Sequence, residues 1–200
     1  MSVFEGDDGA ARLTVLDPSG RGADAEPLGD FVSEALHELL RAGITPRTTL
    51  RCINQVLLEQ RGSGAAAFAA AAIAVLDPRR RVVTFASAGH VEGFRFLPDG
   101  RHAHYSSTGP LLGVIDDAQH EHVTFDYACG DVLVLVTDGL LDARKAGAET
   151  ERLGTAGICR IVHSHLASSG GTCAGRIVAD VRKIAGGVLA DDAVALVAKL

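Results

Sequence analysis

The stretch Asp131–Arg144 reads DVLVLVTDGLLDAR. Its apolar run, Val132–Val136, stops at Thr137-Asp138-Gly139. An unbroken run of β-favouring and large apolar residues fits a strand buried on both faces better than one with a wet face. A carboxylate held just past the end of such a strand needs a partner, a metal or solvent. Gly139 frees the backbone to turn sharply after Asp138. The question the stretch poses is which other acidic residues meet Asp138.

Two further places share its grammar. Leu13–Leu16 predicts a strand that ends at Asp17-Pro18-Ser19-Gly20-Arg21-Gly22, a loop rich in residues that permit unusual backbone angles. Asp191-Asp192 lead into a predicted terminal strand, Ala193–Val197. These carboxylates are expected at one end of packed sheets, with the end of Val132–Val136 beside the end of Leu13–Leu16. Carboxylates at that density repel one another unless a cation neutralises them. All-oxygen donors select hard ions, Mg²⁺ or Mn²⁺, over zinc. Two such ions bridged by one carboxylate can activate a shared water and clamp a phosphoryl group for in-line attack. Any one of these aspartates alone reads more simply as a residue that opens a turn; the conjunction favours a metal edge.

Composition bounds the answer. A chain of 200 residues fits one domain, and 47% hydrophobic against 22% charged residues predicts a real buried core. A net charge of −6 without a Lys/Arg block argues against a nucleic-acid phosphate surface. Trp is absent and aromatics are few, which disfavours base-stacking platforms and aromatic cages. Cys52, Cys129, Cys159 and Cys173 contain no C-x-x-C pair, so they read as reduced, packed thiols of a cytoplasmic protein and not as a zinc site. No charged-then-apolar leader follows Met1 and no apolar run approaches ~20 residues, so neither a signal peptide nor a membrane span is expected.

The remaining pattern predicts α+β layering. Glu5-Gly6-Asp7-Asp8-Gly9 is a turn. Helices are expected over about Glu26–Ala42, with Asp24 as N-cap, and Pro46–Gln60, with Thr45 as N-cap and Pro46 at the first helical position. Their apolar stripes, among them Val32, Leu36 and Leu40, then Leu50, Ile53 and Leu57, read as core faces. Short strands follow at Ala67–Leu76, Val82–Ala88, Gly93–Leu97, His102–Ser106 and Val123–Tyr127. Two more amphipathic helices, Thr155–Leu166 and Thr172–Ala185, are joined by Ser168-Ser169-Gly170-Gly171.

Taken in order, these residues resemble the bacterial metal-dependent protein phosphatases of the stage II sporulation E type, within the protein phosphatase 2C-like (PPM) superfamily. The pattern D-x-x-G-x-G is met by Asp17-Pro18-Ser19-Gly20-Arg21-Gly22, and N-A-G-H by Ser87-Ala88-Gly89-His90. G-x-P-L-G appears, altered, as Gly109-Pro110-Leu111-Leu112-Gly113. G-D-x-L-x-x-x-T-D-G runs in full from Gly130-Asp131 to Thr137-Asp138-Gly139, and the closing D-D is Asp191-Asp192. Each motif is weak alone; together, in order over about residues 11–200, they are specific.

The resemblance implies a single phosphatase-like domain, a four-layer α/β/β/α sandwich of two packed, mainly antiparallel sheets flanked by helix pairs. It implies two Mn²⁺ or Mg²⁺ ions and hydrolysis of phosphoserine or phosphothreonine by metal-activated hydroxide. Asp17 would bridge both ions and the Pro18 carbonyl would add a ligand. Asp138 and Asp191 would complete one shell, with Asp192 a further ligand or beside it, and Gly139 would let the backbone approach. Arg21, where the family often has His, is a candidate phosphate contact. His90 reads as a structural hydrogen-bond partner or a general acid. The implied partner is a phosphorylated anti-anti-sigma (STAS) protein in a stress or sporulation switch; the chain also resembles the feedback phosphatase of the stressosome. The helical pair Glu26–Gln60 is where such proteins often couple regulation to the metal site.

One departure sets up a second reading. Counting back from Asp17 to the family's usual upstream acidic motif, G-G-D, runs off the start of the sequence, so either the sequence is truncated there or the protein lacks this acid; Asp7 and Asp8 stand too close to Asp17 and sit in a hairpin turn. The alternative is a catalytically weakened phosphatase-like module that acts as a regulatory binding protein.

Overall fold

A computed structural model of the chain describes residues 1–19, 26–60, 67–166 and 173–200. The predicted N-cap Asp24 and the Ser168–Gly171 joint lie outside the described residues. The chain forms two compact units, Met1–Val91 with Ser106–Ala128, and Glu92–Tyr105 with Cys129–Leu200.

In the first unit the turn Gly6–Gly9 closes a hairpin between β1 (Ser2–Glu5) and β2 (Ala11–Pro18). Helices α1 (Glu26–Arg41) and α2 (Pro46–Gln60) follow, then β3 (Ala69–Asp77) and β4 (Val82–Ala88). In chain order β5 (Glu92–Phe96) and β6 (His102–Tyr105) belong to the second unit, and β7 (Val123–Asp126) returns to the first. The first sheet runs β1-β2-β3-β4-β7, antiparallel throughout.

The helices form where the periodicity placed them. Val32, Leu36 and Leu40, four apart, bury one face of α1; Leu50, Ile53 and Leu57, three and four apart, bury one face of α2. Both stripes pack on Ala71, Ile73, Ala86 and Ala88 of the sheet. Burying each such Leu or Ile side chain contributes roughly 1.5–3 kcal/mol. Pro46 opens α2, and the Thr48 amide donates to Thr45 Oγ1 at 3.4 Å, the expected cap. Small side chains on β3 (Ala69–Ala72, Ala74) are all buried, which lets the strand lie in the centre of the sheet with both faces covered.

A buried cation fastens the hairpin to α1. Arg12 is 3% exposed, grips the Asp8 carboxylate with two nitrogens at 2.7 and 2.9 Å, and donates from Nε to the Leu40 carbonyl at 3.2 Å. The Arg12 hydrogen bond, and after it the Ala10 amide, lower the Asp8 pKa to about 2. Asp8 is therefore a hairpin lock and not a site acid.

The second unit continues with β8 (Val132–Val136), the short α3 (Asp138–Leu141), a small hairpin β9 (Arg144–Lys145) and β10 (Ala148–Arg152), helices α4 (Gly154–Leu166) and α5 (Cys173–Ile184), and β11 (Ala195–Lys199). Its sheet runs β11-β8-β5-β6, again antiparallel. Every residue of β8 is buried, as the unbroken apolar run predicts. Val132, Val134 and Val136 meet Ile158, Val162, Ile177 and Val181 of α4 and α5 in one cluster. The α+β class, the antiparallel sheets and the pairing of helices with sheets agree with the sequence reading. No helix among the described residues is long and apolar enough to cross a membrane.

Asp131, the acid of the G-D motif, is structural. It is 1% exposed and accepts two bonds from Arg95 of β5, at 2.8 Å from Nε and 2.5 Å from Nη2. Removing one partner of such a pair strands the other charge, which typically costs about 3–5 kcal/mol. Asp131→Ala should therefore lower the urea midpoint sharply, whereas Asp99→Ala, at an exposed pair with Arg101, should leave it nearly unchanged.

Candidate metal edge

The site is built from the end of β8. Thr137 is 1% exposed, and its hydroxyl serves two partners on the segment that leads into β11. It donates to the Asp192 carbonyl at 3.0 Å and accepts from the Val194 amide at 3.0 Å. The Thr137 amide donates to the Val194 carbonyl at 3.2 Å. These bonds take the place of ladder pairing over 192–194, so β11 begins at Ala195, two residues later than predicted, opposite Val136. Its hydroxyl thus committed, Thr137 makes no side-chain cap for α3.

The clasp lays the acidic pair over Gly139. A Cβ at position 139 would collide with the Asp192 carbonyl oxygen, and would stand 2.8 Å from the Asp192 carbonyl carbon and 3.2 Å from the Asp191 oxygen. Gly139 is required for this close approach of two backbones. Asp138 opens α3, whose Leu140 and Leu141 are buried in the core cluster and so anchor it.

The Asp138 carboxylate carries the decisive feature. Its Oδ1 is buried and has no hydrogen-bond partner among the described residues. A desolvated, unpartnered carboxylate oxygen is costly, and a cation is the group that relieves that cost. Asp191 and Asp192 are exposed beside it, with the Asp192 amide held by Asp191 Oδ1 at 2.9 Å. Among the described residues no three His, Cys, Asp or Glu side chains converge into a closed cage. The donor set at this edge is nonetheless all oxygen, which fits Mg²⁺ or Mn²⁺. A cavity of about 500 Å³ adjoins the pair, lined by Arg182, Val188, Leu189, Asp191 and Asp192 among others.

The other predicted ligands stand on the first unit. Asp17 does not follow its strand, as expected, but lies within it: β2 runs on through Pro18, with Asp17 opposite Ala70 and Pro18 opposite Ala69. The extension is possible because β1 pairs only as far as Ala11–Thr14, so the missing Pro18 N–H interrupts no ladder on that side. Asp17 shares the sheet face of Leu13 and Val15, opposite the face that carries Leu16 to the helices. Beyond Pro18, the Ser19 amide donates to the Phe68 carbonyl at 2.8 Å. Arg21 lies outside the described residues. His90 is exposed after the turn at Gly89.

Residues 7–200 match the model of the family described as Stage II sporulation protein E (SpoIIE). The chain belongs to the SpoIIE family. It is 25% identical over 167 residues to the phosphoserine phosphatase RsbU of Bacillus subtilis (strain 168), a match covering 83% of the chain and 48% of RsbU. The chain thus spans about half the length of that relative. Among solved structures, the SiaA-PP2C domain of Pseudomonas aeruginosa superposes with a TM-score of 0.84 at 20% identity, covering 100% of this chain and 79% of that one. RsbX, solved in complex with magnesium, gives a TM-score of 0.64 at 19% identity, covering 98% and 84%. These likenesses establish the fold as that of the PP2C-type phosphatase domains.

Within this SpoIIE-family fold the altered G-x-P-L-G loop is a brace. The Thr108 hydroxyl donates to the Ser87 carbonyl at 2.9 Å and accepts from the Ser87 amide at 2.8 Å. Gly89 donates to the Gly109 carbonyl, Leu112 pairs with Ala69, and Gly113 donates to Asn54 Oδ1 at 2.8 Å. Buried His120 donates from Nε2 to the Pro110 carbonyl at 2.9 Å. Two contributors escaped the sequence reading. Thr137 was in plain view beside Asp138, but nothing in the pattern said its hydroxyl reaches 192–194. Arg182, near the end of α5, carries no motif at all.

Two outcomes follow from this geometry. Thr137→Val keeps the shape and removes the hydroxyl, leaving the Val194 amide without its partner; stability should fall by about 1–3 kcal/mol, and Mn²⁺ affinity, read by titration calorimetry, should fall about tenfold. Burial lowers the His120 pKa below its ordinary value. The folded state then holds fewer protons on His120 than the unfolded state does, so stability is full above about pH 6.5 and declines as pH falls below it. The difference in urea midpoint between pH 7.5 and pH 5.5 should shrink in His120→Gln.

Proposed function

We propose that this chain hydrolyses phosphoserine or phosphothreonine on a regulatory protein, with Mn²⁺ or Mg²⁺ held at the Asp138 edge. The observation that carries the reading is the buried Asp138 Oδ1, without a hydrogen-bond partner among the described residues, beside a backbone clasped over Gly139. Asp138 and Asp191 would ligate the ion, with Asp192 adding a ligand or orienting one. Asp17 and the Pro18 carbonyl would add further ligands, on the strength of their match to D-x-x-G-x-G. When bound, the divalent cation supplies Lewis-acid polarisation of the phosphoryl group and of water. The magnesium of RsbX and the phosphoserine activity of RsbU support this choice of ion and substrate.

The chain's own residues do the rest. Thr137 and Gly139 fix the spacing of the carboxylates, so little reorganisation remains when an ion or substrate arrives. Arg182 lines the cavity that the acidic pair lines and would hold a phosphate oxygen of the substrate there. Val188, 79% exposed at the same cavity, offers an apolar contact to the protein that carries the phosphate. A phosphorylated STAS domain is the proposed substrate, and the cytoplasm the proposed location; both rest on the family resemblance.

Turnover of a chromogenic phosphomonoester should require Mn²⁺ or Mg²⁺ and stop with EDTA. Asp138→Asn should lower kcat/KM by more than about 100-fold, beyond what outer-shell changes typically cost. Arg182→Ala should raise KM for a phosphorylated STAS domain about threefold to tenfold with kcat little changed. A chain that binds Mn²⁺ and the phosphorylated STAS domain but never releases phosphate would instead support the regulatory-binding reading.

A further inference from the structure

The second unit gathers histidines well away in sequence from the aspartate motifs. His102 opens β6 and His163 sits in the last turns of α4. Their ring nitrogens face each other, His163 Nε2 to His102 Nδ1, at 3.4 Å. That is long for a hydrogen bond between ring nitrogens. It does match the edge of a tetrahedral metal site: with metal–nitrogen bonds of about 2.0–2.1 Å, two ligands stand roughly 3.3–3.4 Å apart.

Both rings are fixed by their surroundings. Fully buried Phe96 meets His163 edge-on, with centroids 4.9 Å apart at 89°, and lies 5.7 Å from His102. The two imidazoles are 5.5 Å apart at 68°. Rings already held in place lose little freedom on binding. His102 is exposed, so an ion has access.

The neighbouring groups are occupied otherwise. His104, next on the same face of β6, bonds Glu92 at 2.7 Å and stacks on Phe94 with centroids 4.8 Å apart. Cys159 lies one turn before His163 on α4; burial first, and the charge of Glu92 second, push its thiol pKa up, which keeps it a protonated core residue. His165, two residues on, bonds Asp180 at 2.8 Å.

We propose that His102 and His163 form a binding site for a borderline transition cation of the Zn²⁺ class, with water completing its shell. Imidazole nitrogen favours Zn²⁺, Cu²⁺ and Ni²⁺, whereas the aspartate edge favours Mg²⁺ and Mn²⁺. The chain would then sort two classes of cation by donor chemistry. A bound ion joins β6 to α4 and so stabilises the second unit.

The test uses Cu²⁺ as a spectroscopic probe and Zn²⁺ as the competing ion, on the full chain. One equivalent of Cu²⁺ should show nitrogen hyperfine coupling from two imidazoles in its electron paramagnetic resonance spectrum, and Zn²⁺ should displace it. Zn²⁺ alone should raise Tm by several degrees. His102→Ala and His163→Ala should each abolish the two-nitrogen signal and the Zn²⁺ shift, while Asp138→Asn and His165→Ala keep both. His163→Gln is the second variant should His163→Ala fail to fold. A spectrum with oxygen ligands only, a two-nitrogen signal that survives either substitution, or a Zn²⁺ shift unchanged in the His163 variants overturns the proposal.

Discussion

One hydroxyl sets the geometry on which the acidic edge depends. Thr137 holds the Asp192 carbonyl and the Val194 amide at once, and the second sheet's last strand takes its register from there. The same clasp explains why residue 139 has no side chain: the acidic pair passes directly above it. Asp138 is then left with a buried oxygen that no donor among the described residues reaches. A hydroxyl, a missing Cβ and an unpaired carboxylate are thus one arrangement, and each is intelligible only through the others.

The motifs divide by physical role. Asp131 is consumed by Arg95 and supports the sheet; the Thr108–Gly113 loop ties β3, β4 and α2 together; His120 is a buried hydrogen-bond donor. None of these needs to touch a substrate to be indispensable. Asp138, Asp191 and Asp192 differ in kind, because among the described residues their carboxylate oxygens are not spent on the fold's own donors, save the single bond within the pair. A family signature therefore mixes residues that hold the framework with residues that face a ligand, and burial with partner count separates the two.

Much of the fold was legible. The bounds of α2, β4 and β8 agree to the residue with the pattern, because Thr45-Pro46 caps the first, the turns at Asp77–Arg80 and Gly89-His90 bracket the second, and an uninterrupted apolar run makes the third. The aspartates stood out in the pattern because Asp17 and Asp138 follow apolar runs and Asp191-Asp192 precede one; of these, the structure brings Asp138, Asp191 and Asp192 to one edge. What could not be read had no local signal. Strand β1 and the β9–β10 hairpin are short and carry charged residues, so neither shows a clean alternation. The end of β2 was placed two residues early, at Leu16 instead of Pro18, because the usual weight against proline ignores an unpaired neighbour position. The His102–His163 contact joins residues 61 apart and depends on the position of a helix against a strand.

The clasp also bears on the order of events during folding. Among the described residues, strands β8 and β11 are separated by three helices and a hairpin, so their pairing is a non-local contact of the kind that forms late. Until β11 docks, Asp191 and Asp192 are not above Gly139 and the edge does not exist. A partly folded chain thus carries these acidic residues without carrying the edge, which takes shape only with completion of the second unit.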